Sequence, residues 1–532
     1  MELQSKVEYI NAKWFSLAWS LIFIVAPLIA YIFSIKVEIR NINYCSAGLS
    51  LIWIYYTWQC QIKQKIILHK KYVFVFFISI LFSFLYSYIS RYYAFRLNAD
   101  DFGVFHTMLN AMLEGNWGYS KAVGFYHFGT HQNYILVLIL PIYALFHNVE
   151  TLLVLGVGAI WLTAVAIWLI AKELKLNNFL SFIIVLSFSL SPMNGLGNSF
   201  QPELFTPLFF AWLFLFYLRR QLIWFFICVL LVLMTKEDAV LLVAGFSIVL
   251  IYRKEYSYGS IALFCALLMC IMNLGIVQPY FVHKSAMLQP TTVKFWSEYG
   301  KTKTEIFFNI LTHPLIIINK LFAINSGFWR LYLPFLCLPL FIPEVFFSSI
   351  MTIIMWATSI SNAQYEYRSY YGININLVMF IGVMLLLAEN GCFYKSLWIK
   401  RFNFYSKYRM LILISGLFIF PLIGTGWQDF WPFSYKDFAA AKTFSVYLSK
   451  SGDVICSNSN LYQILTAQKV PVKSVALSGA KPEQFFQQNC SYVMTDLGDT
   501  YPFSRDQLLM EMSRMKCSQF SPHFYICNNK LG

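Results

Sequence analysis

The chain has 532 residues, of which 58% are hydrophobic, 19% aromatic and only 12% charged, against roughly a quarter charged in an average soluble domain. With a mean hydropathy of +0.59 and apolar runs recurring from residue 14 to about residue 424, this composition excludes a soluble enzyme and defines a polytopic α-helical membrane protein. The formal net charge of +15 does not point to nucleic acid, because Lys and Arg sit mainly in short clusters between apolar runs, where positive charge fixes membrane orientation.

Taken in chain order, the apolar runs predict about 13 transmembrane helices. They lie near residues 14–35, 43–60, 72–91, 151–171, 178–194, 204–218, 222–235, 238–252, 259–279, 328–341, 343–360, 373–388 and 410–424. Basic clusters at Lys63, Lys65, Lys70 and Lys71, at Lys172 and Lys175, at Arg219 and Arg220, at Arg253 and Lys254, and at Lys395, Lys400, Arg401, Lys407 and Arg409 are assigned to the cytoplasm. Two cytoplasmic clusters must be separated by an even number of crossings. Between Lys71 and Lys172 the parity fails if the run from Tyr134 to Phe146 crosses fully, and its length suits a re-entrant segment. The first apolar run is too long for a signal-peptide core and no small-residue cleavage site follows it, so it is read as an anchor.

The predicted organisation is therefore an N-terminal transmembrane part (1–91), a first outer loop with juxtamembrane or re-entrant helices (92–150), a transmembrane core (151–424) and a small C-terminal extracytoplasmic α/β domain (433–532). In that last part, helical patterns (Phe438 to Leu448, Leu461 to Gln468, Pro482 to Gln488, Asp506 to Met515) alternate with strand-like runs (Val454 to Cys456, Val472 to Leu477, Tyr492 to Met494, Phe524 to Cys527). It carries Cys456, Cys490, Cys517 and Cys527, an even number on the oxidising side, which permits disulfides. The other cysteines fall in or beside apolar runs, as small apolar residues do.

Ionisable groups gather at the outer ends of the runs. The first loop opens with Asn98-Ala99-Asp100-Asp101-Phe102-Gly103 and later holds His106, Glu114, Lys121, His127 and His131; further turns carry Gln201-Pro202-Glu203 and Lys236-Glu237-Asp238. Charges forced to a helix centre cost roughly 2.5–3.5 kcal/mol each, so such groups normally line a wet cavity. A paired carboxylate at Asp100 and Asp101 can act as a general base or hold a divalent cation. Simpler structural readings stand beside these: a solvated Lys236-Glu237-Asp238 hairpin with internal ion pairing, an N-cap at Asp100 or Asp101, a solvent-exposed His131, and a first-turn acid at Glu203 favoured by the helix dipole. The outer segment Gln278 to Gly327 offers His283, Lys284, Lys294, Lys301 and Lys303, followed by Arg330, to a lipid phosphate or to ordinary anionic headgroups.

There is no G-x-x-x-x-G-K-[ST] loop, no H-E-x-x-H, no C-x-x-C pair and no Asp-x-Asp motif, which argues against a P-loop motor, a zinc protease, thiol redox chemistry and a nucleotide-sugar donor.

The stretches Asp101-Phe102-Gly103, His131 followed by the apolar run into Leu140-Pro141-Ile142-Tyr143, Phe200-Gln201-Pro202-Glu203, and Thr235-Lys236-Glu237-Asp238 occur in an order that resembles the DUF2079 family of predicted membrane proteins, over roughly residues 90–500. That family looks related to the GT-C superfamily of membrane glycosyltransferases. The resemblance implies a GT-C-like fold that takes a sugar from a polyprenyl-phosphate carrier to a lipid, glycan or protein acceptor, on the outer face of a bacterial inner membrane. Asp101 is the implied catalytic acid with Asp100 as its neighbour, both as ligands for Mg²⁺ or Mn²⁺. His131, Gln201, Glu203, Lys236, Glu237, Asp238, Arg330 and Arg368 form the candidate substrate-binding set, with Lys236, Arg330 and Arg368 as cations for the leaving phosphate. Gln201 departs from a family histidine, and His106 stands where the family often has glutamine. Two further classes remain: a transporter or flippase for a lipid-linked sugar or small anion, which places ionisable groups deep in several spans, and a scaffold in which Asp101→Asn is silent.

Overall fold

The computed structural model describes residues 9–11, 13–38, 65–94, 96, 97, 99–121, 123–191, 200–285, 291–323, 326–367, 371–388, 406–422, 429–433, 438, 439, 443, 455–457, 472–474, 490–497, 504–519 and 524–528. The expected helix at 43–60 lies outside them, as do Arg368 and the C-terminal helical patterns at 461–468 and 482–488.

Helices α1 (Lys13–Phe33) and α2 (Lys70–Tyr93) pack side by side. They are followed by α3 (Ala99–Leu113) and the short α4 (Ile135–Leu145). Helix α5 (Val149–Glu173) starts at an Asn148 cap that accepts the Thr151 backbone N–H, satisfying one of the free amides of a helix start. Then come α6 (Asn178–Leu190), α7 (Phe205–Leu218), α8 (Leu222–Leu233), α9 (Ala239–Tyr252), α10 (Tyr256–Met272) and α11 (Gln278–Lys284). Helices α10 and α11 are joined through a π-helical turn, Asn273–Val277. The helical chain continues with α12 (Lys303–Thr312), α13 (Pro314–Phe322), α14 (Gly327–Tyr332), α15 (Pro343–Ala357), α16 (Ile373–Leu387) and α17 (Ser406–Ile419).

Among the described residues, four helical stretches are long and apolar enough to cross a membrane unaided: α1, α2, α5, and the continuous run Tyr256–Lys284. The expected count of about 13 spans is not matched on length. Helix α8 has 12 residues and rises only about 18 Å at 1.5 Å per residue. The run Tyr134–Phe146, read as re-entrant, does form a short helix of 11 residues.

Two regions differ from their sequence reading. The expected span 328–341 is not one helix: α14 stops at Tyr332 and gives way to the 3₁₀ turns Leu333–Phe335 and Leu338–Phe341, with Leu336 and Cys337 at φ 47° and 58° between them. Pro334 and Pro339 break it, because a ring without an N–H cannot continue an α-helix, and hydropathy does not register that. The segment 278–327, read as a polar outer stretch, contains the apolar pair α12 and α13, bent by 81° at His313. Its flanking lysines had masked the apolar runs.

The apolar side chains of α1, α2 and α5–α9, with α15 and α16, form one continuous core. Helices α9 and α15 approach so closely at Gly245 that a Cβ there would stand 1.9 Å from the Phe347 carbonyl oxygen. One end of the core is ringed by ion pairs: Arg219–Glu173, Arg220–Glu255 and Arg253–Glu344, each 2.6 Å. These sit at the C-terminal ends of α5, α7 and α9, so the N-terminal ends of α7 and α9 lie at the opposite end.

In the C-terminal stretch, β1 (Ile455–Ser457), β2 (Val472–Ser474), β3 (Tyr492–Asp496), β4 (Lys516–Gln519) and β5 (Phe524–Asn528) form a mixed sheet ordered β4-β5-β3-β1-β2, parallel between β3, β1 and β2. Strand β4 was not anticipated. Helix α18 (Arg505–Met512) carries a capping box between Ser504 and Gln507. Disulfides join Cys456 to Cys490, and Cys517 to Cys527 across the β4–β5 pair.

Candidate functional site

The site is built where the loop preceding α4 lies on the turn between α8 and α9. The Ile135 amide donates to the Met234 carbonyl (2.8 Å) and the Asn133 side-chain amide to the Thr235 carbonyl (2.8 Å). Thr206, at the start of α7, donates to the Thr235 hydroxyl (2.7 Å). These bonds pin Thr235-Lys236-Glu237-Asp238 between three elements, and Lys236 and Glu237 each find a distant partner.

Lys236 Nζ stands 2.7 Å from Glu203 Oε1, with 4% and 7% of the two side chains exposed. The rings of Trp356 and Tyr371 lie 5.9 and 5.7 Å from the ammonium, within cation–π range. His131 Nδ1 stands 2.7 Å from Glu237 Oε1, and the Gln132 amide donates to Glu237 Oε2 (3.2 Å). The three charges of the turn therefore do not form an internally paired solvated hairpin. Glu203 is likewise more than a dipole-stabilised acid: it is the buried counter-ion of a lysine.

Burial opposes charge on Glu237, but the charge and hydrogen bond of His131, with Lys236 behind them, outweigh it and hold the carboxyl at about 2. Asp238 goes the other way: burial, reinforced by Glu237 and Glu203 against the pull of Lys236 and His131, pushes it up to about 6. For Lys236 burial favours the neutral amine, yet Glu203, Asp238 and Glu237 together hold the ammonium well above the ordinary lysine range. Burial, then the neighbouring His131, push His127 down to about 3. The result is a carboxylate, an ammonium, a neutral imidazole and a carboxyl that titrates near neutrality in one small volume.

His127 Nε2, Gln132 Oε1, Asn133 Oδ1, Glu203 Oε2 and Asp238 Oδ1 are buried without a hydrogen-bond partner among the described residues. Buried polar atoms are rarely left so. Around this turn they leave hydrogen-bonding capacity that ordered water can fill. On the far side, the Tyr134 hydroxyl donates to Asn273 Oδ1 (2.7 Å), where the π-helical turn opens, and Lys303 of α12 donates to Gln278. A π-turn in an otherwise α-helical run is frequent at functional positions.

Of the residues predicted from sequence, His131, Glu203, Lys236, Glu237 and Asp238 come together. Gln201 is buried just ahead of the 3₁₀ turn Pro202–Leu204. Asp100 and Asp101 lie in the first turn of α3, one turn before Phe105, whose ring packs on His127 (5.4 Å) and Phe200 (6.0 Å); the two aspartate side chains lie outside the described residues. Arg330 is paired with Glu366 (3.0 Å) and borders an apolar groove of about 630 Å³ lined by Trp329, Leu333, Pro334, Leu336 and Ile412. Among the described residues no three His, Cys, Asp or Glu side chains are grouped to hold a metal ion. Sequence reasoning missed Gln132, Asn133, Asn273 and the Trp356–Tyr371 wall. A lone asparagine inside the apolar α10–α11 run was the readable signal.

The chain belongs to the family described as predicted membrane protein DUF2079, whose model matches residues 91–516. No curated protein matches it in sequence. Among solved structures it is similar to ArnT from Cupriavidus metallidurans in the apo state, at 10% identity and a TM-score of 0.46 over 86% of this chain and 97% of that one. The same protein bound to undecaprenyl phosphate gives 9% and 0.43 over 86% and 98%. The archaeal oligosaccharyltransferase AglB from Archaeoglobus fulgidus, in complex with an inhibitory peptide and a dolichol-phosphate, gives 10% and 0.42 over 86% and 74%.

Proposed function

We propose that this protein is an integral membrane glycosyltransferase that moves a sugar from a polyprenyl-phosphate carrier to a lipid, glycan or protein acceptor at the outer face of a bacterial inner membrane. The observation that carries the reading is the cluster Glu203, Lys236, His131 and Glu237, set at the end of the helical core opposite its ring of basic residues. Basic ends face the cytoplasm, so the cluster faces outward, and the disulfide-bonded sheet fits the same oxidising side.

A lipid-phosphate donor needs an apolar cradle for its chain and cations for its head. The groove beside Arg330 supplies the first; Arg330, Lys236 and Arg368 supply the second. Asp101 either takes the acceptor's proton or, with Asp100, holds Mg²⁺ or Mn²⁺. The polar atoms without partners around Asp238 receive sugar hydroxyls, and the C-terminal sheet binds acceptor. A transporter reading is less well supported, because the ion pairs of the core sit at helix ends rather than along a pathway.

The test is a profile of glycolipids and surface polysaccharides from cells with the wild-type chain, with Asp101→Asn, or without the chain. The same glycoconjugate should disappear in the last two at normal expression of the variant. Profiles unchanged in cells lacking the chain rule the transferase out.

A further inference from the structure

The imidazole of His131 is held in the manner of an oriented base. Its Nδ1 faces Glu237 Oε1 at 2.7 Å. An ionised carboxylate only accepts hydrogen bonds, so in the neutral ring Nδ1 carries the proton and Nε2 keeps its lone pair. The second oxygen of Glu237 accepts from the Gln132 amide, so the carboxylate is fixed at both oxygens. The Nε2 edge has no hydrogen-bond partner among the described residues and is not among the buried polar atoms, and 27% of the His131 side chain is exposed. The open edge of the ring thus faces accessible space while its back is anchored. His127, its neighbour at a ring distance of 5.5 Å, is buried beside it and does not share that exposure.

We infer that His131 is the general base of this site, Nε2 receiving the acceptor's proton, with Glu237 as the positioning residue that sets the tautomer and stabilises the imidazolium formed. The inference rests on the transferase reading and separates two roles that reading leaves with Asp101. As the acceptor oxygen forms its bond to the anomeric carbon, its proton passes to Nε2. The bond from that carbon to the phosphate oxygen breaks, and its electron pair leaves on the carrier phosphate. The charge gained by the phosphate is met by nearby ammonium groups, and the positive charge gained by His131 is met by Glu237. Among the described residues, the titratable and charged groups around the ring are His127 from the same loop and Glu237 and Asp238 from the turn before α9, with Lys236 and Lys303 of α12 interacting with Glu237 behind it.

The full-length protein in lipid nanodiscs, treated with diethylpyrocarbonate across about pH 5.5–8.5, with acylation of the His131 peptide followed by mass spectrometry, reads the ring without any substrate. Glu237→Gln should slow acylation about tenfold at about pH 8, and Glu237→Asp should restore part of the rate, because the carboxylate holds the ring with its Nδ1 proton inward and Nε2 open. Equal acylation rates in wild type and Glu237→Gln overturn the inference. In cells, His131→Gln should lower the glycoconjugate made by the wild type by roughly 10²- to 10⁴-fold, the usual weight of a general base. A glycoconjugate that persists with His131→Gln but vanishes without the chain overturns the base and leaves the transferase standing. One that is unaffected by loss of the chain overturns both.

Discussion

A lysine enclosed by apolar helices stays an ammonium only where carboxylates surround it, and Lys236 has Glu203, Glu237 and Asp238 about it. Removing one member of such a pair strands the other charge, at a cost of about 3–5 kcal/mol, whereas replacing both by apolar side chains of similar size is close to neutral. Lys236→Met should therefore lower the thermal midpoint of the purified protein sharply, and Lys236→Met with Glu203→Met should recover most of it. A double variant no better than the single one would mean that the pair is not the unit. Asp238 and Glu237 make opposite predictions with pH. Folding raises Asp238 from its ordinary 3.8 to about 6, so its ionisation costs stability as pH rises through that value and costs nothing below the unfolded pKa. Asp238→Asn should raise the melting temperature at about pH 7.5 and leave it unchanged at or below about pH 4. Folding lowers Glu237 to about 2, so its contribution is complete above its unfolded value and fades as pH falls toward 2; Glu237→Gln should destabilise at neutral pH.

At the scale of elements, the crossing of α9 and α15 sets the distance between Lys236 and Trp356. It depends on Gly245, whose missing Cβ leaves room for the Phe347 carbonyl. Gly245→Val should force the helices apart, cost about 1–3 kcal/mol and change the Trp356 fluorescence; an unaltered emission spectrum would show that the crossing tolerates the added bulk. A second element-level bond explains a sequence motif. The Tyr143 hydroxyl, closing Leu140-Pro141-Ile142-Tyr143, donates to Asn110 Oδ1 (3.1 Å) and meets His106 Nδ1 at 2.9 Å, latching α4 to the helix that carries Asp100 and Asp101. The apolar runs made most helices legible, because continuous hydrophobicity at this length has few other uses. What they could not show was continuity of backbone. Pro334 and Pro339 divided one expected span, and the lysines beside α12 hid another apolar pair. The acids and bases were legible as polar residues stranded among apolar ones. Their pairing was not, since Glu203 and Lys236, or His131 and Glu237, are joined only by tertiary packing that spacing does not encode.

At the scale of the whole molecule, orientation follows from which residues share an end. The ion pairs Arg219–Glu173 and Arg253–Glu344 mark one end and the Lys236 cluster the other. A cysteine placed at the exposed Lys121 should react with an impermeant maleimide added to intact spheroplasts, while one at the exposed Lys254 should react only after lysis. Reaction of both from one side would overturn the arrangement. The recessed position of the cluster has a geometric basis as well, since α7 and α9 have 14 residues each and rise about 21 Å.

Those short helices also bear on the lipid around them. Both are largely buried among longer neighbours such as α5 and the run Tyr256–Lys284, so their ends lie recessed within a bilayer core of about 30 Å, where water funnels down to them. A recess of this kind would let a lipid headgroup approach Lys236 and His131 without leaving its own monolayer.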